Sequence, residues 1–238
     1  VENRGDADRV HLIVDWMPNY GSAAEAEVLL PEALDDAAGM APGEASIGAM
    51  IERGHQMQKA GHLDKAESLY RQVVHFDEKH VIGNNLLGLL CLQTRRFEEA
   101  VRYIATALNE KPDDAQAHAN LALALRNLGR PQEAVRHFQE SLQLAPHLPR
   151  THANLGSLLV EQGKVAEAVP LYQKALSIQW ELPEVHFNLG NAHLHLQQFA
   201  EAAASFSTCL SQRPDIPGGQ EKLAEARAGL AKSEAQGS

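Results

Sequence analysis

The chain is short of aromatic residues, cysteines, long apolar runs and surplus base, and each shortage excludes a class of protein. Aromatics make up 5% of the 238 residues, too few for a sandwich or barrel whose strands rely on aromatic and β-branched side chains. The abundance of Ala and Leu suits closely packed helices instead. The two cysteines, Cys91 and Cys209, lie so far apart in sequence that no disulfide framework is expected. No apolar run approaches the ~18 residues of a membrane span and no secretory leader is visible, so the expectation is a soluble, cytoplasmic chain without a membrane partner.

The charge is uneven. Residues 1–45 hold ten acids (Glu2, Asp6, Asp8, Asp15, Glu25, Glu27, Glu32, Asp35, Asp36, Glu44) against Arg4 and Arg9, which accounts for −8 of the net −10 and leaves −2 for residues 46–238. With no basic stripe to follow a phosphate backbone, nucleic acid is not an expected partner.

What the chain does have is a repeat. His118-Ala119-Asn120-Leu121 returns as His152-Ala153-Asn154-Leu155 and as His186-Phe187-Asn188-Leu189, at an interval of 34 residues. A fixed period of this size marks units that bury their apolar faces only by stacking on their neighbours. In that register the units are 47–80, 81–114, 115–148, 149–182 and 183–216, followed by a capping helix and tail over 217–238. Position 8 of each unit is small (Gly54, Gly88, Ala122, Gly156, Gly190), as is position 20 (Ala66, Ala100, Ala134, Ala168, Ala202). One turn later comes a large apolar residue: Tyr70, Ile104, Phe138, Tyr172 or Phe206. Small against large is what two closely crossing helices require. Gly61, Gly129 and Gly163 stand where the first helix should end, with Arg95 and Gln197 in their place elsewhere. Pro112, Pro146 and Pro214 stop the second helix, whereas Glu78 and Trp180 depart from that rule and leave two junctions without a stop signal.

These residues resemble the tetratricopeptide repeat (TPR) pattern over residues 47 to about 230. The resemblance implies an all-α, right-handed superhelical solenoid of five helix-turn-helix units whose first helices line a groove for extended peptides or partner helices. In the sixth, partial unit, Leu223 and Ala224 keep the packing pattern while Glu221, Glu225 and Arg227 make the outward surface polar, as in a solubilising cap.

Successive helical residues are about 100° apart, so positions 2, 6, 9 and 13 share one face and positions 4, 7, 8 and 11 another. His118, His152 and His186 fall on the packing face. They are not expected to bind metal, because equivalent helices sit roughly 8–10 Å apart while zinc needs nitrogens at about 2.1 Å. Asn120, Asn154 and Asn188 fall on the groove face, where an amide can both donate to and accept from a peptide unit. The O-GlcNAc transferase repeats are similar, with an asparagine ladder that holds substrate backbone. The remaining groove candidates are Gln116, Leu123 and Asn127 in the third unit, Arg150, Ser157 and Glu161 in the fourth, and Glu184, Asn191 and His195 in the fifth. Leu86 and Leu89 of the second unit give one end of the groove a more apolar lining. Position 5 (Ile51, Asn85, Ala119, Ala153, Phe187) lacks the cations of the family's chaperone-binding carboxylate clamp.

Residues 1–20 and 21–46 lie outside the period. The run from Arg9 to Trp16 reads as a strand, followed by a turn over residues 17–21. Residues 21–46 read as an acidic linker with short helices over 23–30 and 31–38. Residues 1–16 resemble the last strands of the aspartyl/asparaginyl β-hydroxylases, which use Fe(II) and 2-oxoglutarate. The resemblance implies that Arg9 binds 2-oxoglutarate in an intact parent domain whose iron histidine precedes Val1, and a start at Val1 rather than Met points to a fragment or processed product. For this chain no cofactor, metal or catalysis is expected, because residues 47–238 contain no nucleophile-base pair, phosphate loop or metal-ligand cluster. The expected function is a protein-protein interaction scaffold that holds a peptide. The alternative is the substrate-recruiting region of a larger hydroxylase-like protein. Self-association through the acidic, Leu-containing N-terminal segment is a further expectation.

Overall fold

The computed structural model describes residues 44–237. The strand expected over residues 9–16, Arg9 and the hydroxylase resemblance, and the linker helices over 23–30 and 31–38 all lie outside the described residues. Within them the chain is entirely helical. The pairs are α1 (Glu44–Lys59) with α2 (Leu63–Phe76), α3 (Val81–Gln93) with α4 (Phe97–Glu110), α5 (Ala115–Asn127) with α6 (Pro131–Leu144), α7 (Pro149–Glu161) with α8 (Val165–Ile178), and α9 (Pro183–His195) with α10 (Phe199–Gln212), after which α11 (Gly219–Gly237) ends the stack. Helix α1 begins at Glu44, inside the stretch read as linker. Pro42 and Gly43 are the last residues unsuited to a helix, and Glu44 and Ala45 favour one.

Each helix packs on the next in sequence, and α3, α5, α7 and α9 also touch one another in succession. The first helices therefore form one layer of a solenoid and the second helices the other. The crossing within each pair follows from size. Ala66, Ala100, Ala134, Ala168 and Ala202 are fully buried, as are the large residues one turn later. A Cβ added at Gly88 would lie 2.3 Å from Ile104 Cγ1, and one at Gly190 2.7 Å from Phe206 Cε1. Position 8 is thus the seat of the large residue of the same unit, and anything larger must displace it.

The turn between the helices of a pair is the same in all five. Gly61, Gly129 and Gly163 have φ of 80°, 70° and 77°, and Arg95 and Gln197 adopt the same left-handed conformation at 59° and 57°. In each turn the next amide reaches back five residues, as in His62 N to Met57 O at 2.8 Å and Arg96 N to Cys91 O at 2.8 Å. This is the Schellman arrangement, which satisfies carbonyls at the helix end. Glycine is the easiest residue there but not a required one, since packing of the two helices holds Arg95 and Gln197 in place.

The junctions between pairs are also uniform, despite Glu78 and Trp180. Second helices end at Phe76, Glu110, Leu144, Ile178 and Gln212 with or without a following proline. What the junctions share is a hydrogen bond made by position 4. Nε2 of His118, His152 and His186 lies 3.0, 2.9 and 3.1 Å from the carbonyls of Pro112, Pro146 and Trp180. In the second unit Asn84 takes that role, with Nδ2 2.9 Å from the Glu78 carbonyl. The repeated histidine is therefore a donor to the junction as well as a packing residue. Because the acceptor is a main-chain oxygen, the side chain at position 32 is free to vary.

Helix α11 packs on α10 through Leu223 and Ala226. Ala224, expected to pack, is exposed, because among the described residues no second helix follows to cross it. Among the described residues no helix is long and apolar enough to cross a membrane.

Candidate functional site

The face carrying positions 2, 6, 9 and 13 contains a recess of about 110 Å³ between α5 and α7. Four of the expected site residues meet there: Gln116, Leu123, Arg150 and Asn154. Ala119, Leu148, Pro149, Thr151 and Gln179 complete the lining. The period places the helical members. Gln116 and Arg150 are both at position 2, one turn before Asn120 and Asn154, and adjacent first helices bring the two turns together. Gln179 comes from the loop after α8.

The asparagines of the ladder are not equivalent. Asn120 is 4% exposed, and its Oδ1 accepts a hydrogen bond from Gln116 Nε2 at 3.2 Å. Asn154 is half-buried and opens into the recess. Asn188 is half-buried, with Nδ2 3.5 Å from Ser157 Oγ, which in turn accepts from the Tyr172 hydroxyl at 3.1 Å. Burial pushes the Tyr172 hydroxyl up to about 12, so it remains a neutral donor. Helical phase gave the direction of these side chains but not their depth. Asn120 and Ser157, together with Leu86 and Leu123, lie in the floor of the face, out of reach of full contact with a ligand.

The other expected residues lie outside the recess. Asn127 is exposed and donates to the Leu123 carbonyl of its own helix at 2.9 Å. Glu161 forms an ion pair with Arg126, whose Nε is 3.1 Å from Glu161 Oε2. Asn191 and Leu89 are half-buried and His195 is exposed. Thr151 and Gln179 of the recess lining escaped the sequence reading, as did Ile82 and Arg126. Ile82, at position 2 of the second unit, is 54% exposed and was legible from its register with Gln116 and Arg150. Arg126, at position 12, neutralises Glu161 and had no signal beyond its charge.

The charges of this face are mostly paired. Glu184 is held by Arg213 at 2.5 Å and Glu161 by Arg126, while Arg150 is exposed and makes no hydrogen bond or ion pair among the described residues. Burial pushes the Cys91 and Cys209 thiols up to about 11, so neither is a nucleophile near neutral pH. Among the described residues no group of three or more His, Cys, Asp or Glu side chains is placed to hold a metal ion.

The helical pairs and their layered first helices define the class: a solenoid of helix-turn-helix repeats. Three family models described as "Tetratricopeptide repeat" match residues 57–124, 113–179 and 153–215. They overlap and run unbroken from residue 57 to 215, and the chain belongs to the tetratricopeptide repeat family. No curated protein matches the sequence. Among solved structures, pilF of Pseudomonas aeruginosa is similar at 19% identity, with 81% of this chain and 90% of that chain covered and a TM-score of 0.69. MamA is similar at 19% identity, with 72% and 94% covered and a TM-score of 0.63. YrrB, described as a TPR protein with an unusual peptide-binding site, is similar at 16% identity, with 75% and 90% covered and a TM-score of 0.60. At these identities the likeness is one of fold.

Proposed function

We propose that this chain is a protein-interaction module that holds an extended segment of a partner protein along the face of α3, α5, α7 and α9. The observation that carries this reading is the recess between α5 and α7, where Gln116, Asn154 and Gln179 offer amides beside an apolar floor of Ala119 and Leu123. Amides suit the main chain of a bound segment because they supply donor and acceptor together, whatever the side chains. Among the similar solved structures, YrrB is described as having a peptide-binding site, which is in keeping with the same use here.

The test is selection from a display library of random twelve-residue peptides on the full chain, followed by affinity measurements with the selected peptides. Losing one amide bond to the ligand costs about 1.4 kcal/mol at the upper end of a neutral hydrogen bond, or tenfold in affinity. Asn154→Ala should therefore weaken binding about tenfold. Asn120→Ala should do so far less, since that amide already serves Gln116. Equal losses at the two positions would overturn the proposed route along this face, and failure to select any peptide would overturn the module reading.

A further inference from the structure

We propose that the bound segment is acidic and apolar in a fixed order: an Asp or Glu carboxylate docks on Arg150, and a large apolar side chain docks about six residues away on Ile82 and Leu89. This inference rests on the peptide-binding reading above and adds the chemistry of the peptide. Position 2 is the exposed tip of each first helix on this face, and its residues differ in kind. Ile82 is 54% exposed, Gln116 and Arg150 line the recess, and Glu184 is tied to Arg213 at 2.5 Å. Across the groove the sequence is thus apolar side chain, amide, free cation, neutralised anion.

The free cation is the informative member. Arg126 on the same face is satisfied by Glu161, and Arg213 by Glu184, but Arg150 has no partner among the described residues. Arg150 lines a recess walled by Leu148, Pro149, Ala119 and Leu123, with Gln116, Thr151, Asn154 and Gln179 as the other polar lining residues. A carboxylate entering there would leave bulk water on its apolar sides, strengthening the ion pair relative to an open surface. The recess of about 110 Å³ equals three to four water volumes at ~30 Å³ each, enough for a carboxylate and its methylenes. Long-range attraction cannot produce an acid preference, because the chain carries a net charge of −10 and its overall field repels acidic peptides. The preference must come from a local cation, and on this face that cation is Arg150.

The apolar end follows from the same register. Ile82 stands in solvent near half-buried Leu89, a small apolar patch that none of the described residues covers. It lies two units from Arg150. With neighbouring helices about 10 Å apart, the two docking points are separated by about 20 Å, which an extended strand covers in about six residues at ~3.3 Å each.

The peptide selection described above tests this directly. On the full chain, the selected peptides should carry Asp or Glu about six positions from Leu, Ile, Met or Phe. Changing the selected acid to Gln should weaken binding at least tenfold, measured by fluorescence anisotropy. In Arg150→Gln the acidic peptide and its Gln counterpart should bind equally, and in Arg150→Glu the preference should reverse toward a Lys counterpart. Arg150 is exposed, so these variants should melt with the parent chain, which circular dichroism verifies. Selected peptides without an acid, or an acid preference that survives Arg150→Gln, would overturn the inference. If neutral peptides are selected and still lose affinity in Asn154→Ala, the peptide-binding reading stands and only the acid inference falls. If no peptide is selected, both fall.

Discussion

The hydrogen bond from position 4 to the junction carbonyl separates two roles of one side chain, bulk and donor, and His152 is the place to measure them. The ring is 8% exposed, and its Nε2 lies 2.9 Å from the Pro146 carbonyl. His152→Ala removes the hydrogen bond, about 1 kcal/mol net, and most of a buried ring, about 1–2 kcal/mol with the space it leaves. The expected loss is about 2–3 kcal/mol, or several degrees in Tm for a chain of this size. His152→Asn keeps a donor, and Asn84 shows that an amide at this position reaches the equivalent carbonyl at 2.9 Å. Its cost should be about 1 kcal/mol, mainly from lost bulk. Nδ1 of His152 is buried without a partner, so Asn also removes an unsatisfied acceptor, which lowers the cost further. Guanidinium unfolding followed by circular dichroism gives both values. If Asn is as damaging as Ala, the donor role is wrong and the conserved element of the junction is bulk alone.

Acid should loosen the stack through His137 and His186. Burial holds both imidazoles below their ordinary 6.5, with the facing His118 adding to the effect at His137, where the two Nδ1 atoms are 3.0 Å apart. A depressed folded value means that the unfolded chain takes up protons first, so their contribution is whole above about 6.5 and is lost as pH falls from there toward the folded values. Urea midpoints across that window should decline with falling pH, and His137→Gln should flatten the curve; an unchanged curve would refute the assignment. Arg95→Gly and Gln197→Gly should each stabilise the chain by about 0.5–1 kcal/mol, the left-handed cost of about 1–2 kcal/mol less the extra unfolded-state freedom of glycine; a loss in thermal melts would mean that these side chains make contacts worth more than the strain. Pro170 lies inside α8 and is exposed, where it removes one helical donor, so Pro170→Ala should raise stability by about 1–3 kcal/mol. No rise in the denaturant midpoint would show that the surrounding helix already compensates for it.

The period, the all-α fold and the small-large crossing were legible because they are steric demands that every unit must meet with its own residues. Gly88 against Ile104 and Gly190 against Phe206 repeat one contact with different partners. The turns at Arg95 and Gln197 were not legible, because glycine is only the cheapest way to adopt a left-handed conformation that the Schellman bonds and helix packing impose. The junctions after Glu78 and Trp180 were obscure for a related reason: their anchor is a main-chain oxygen, which leaves no mark on the sequence. At the candidate site, helical phase put Gln116, Leu123, Arg150 and Asn154 on one face, and all four line the recess. It treated Asn120, Asn154 and Asn188 as equal because an angle around a helix carries no depth.

Under the proposed function, depth decides which position of the repeat is open to a ligand. Position 6 lies deep enough for its side chain to be used internally, as Asn120 is by Gln116 of its own helix and Asn188 by Ser157 of the neighbouring one. An amide half-spent within the stack can hold a passing main chain but discriminates poorly between side chains. Position 2 lies one turn nearer the helix start and further from the floor. There Ile82 and Arg150 keep apolar surface and charge available, Gln116 gives one donor to Asn120 but is itself exposed, and Glu184 is neutralised within the stack. Residues with no structural duty vary without loss of the fold, so a solenoid of this kind can change partners by altering position 2 while the alanines, crossing glycines and junction histidines stay as they are. Exchanging Ile82 and Arg150 should therefore leave the melting temperature within about 1–2 °C, since exposed substitutions usually fall within ±0.5 kcal/mol, yet reverse the order of acid and apolar residue in the peptides selected. A large drop in stability from that exchange would show that position 2 belongs to the core after all.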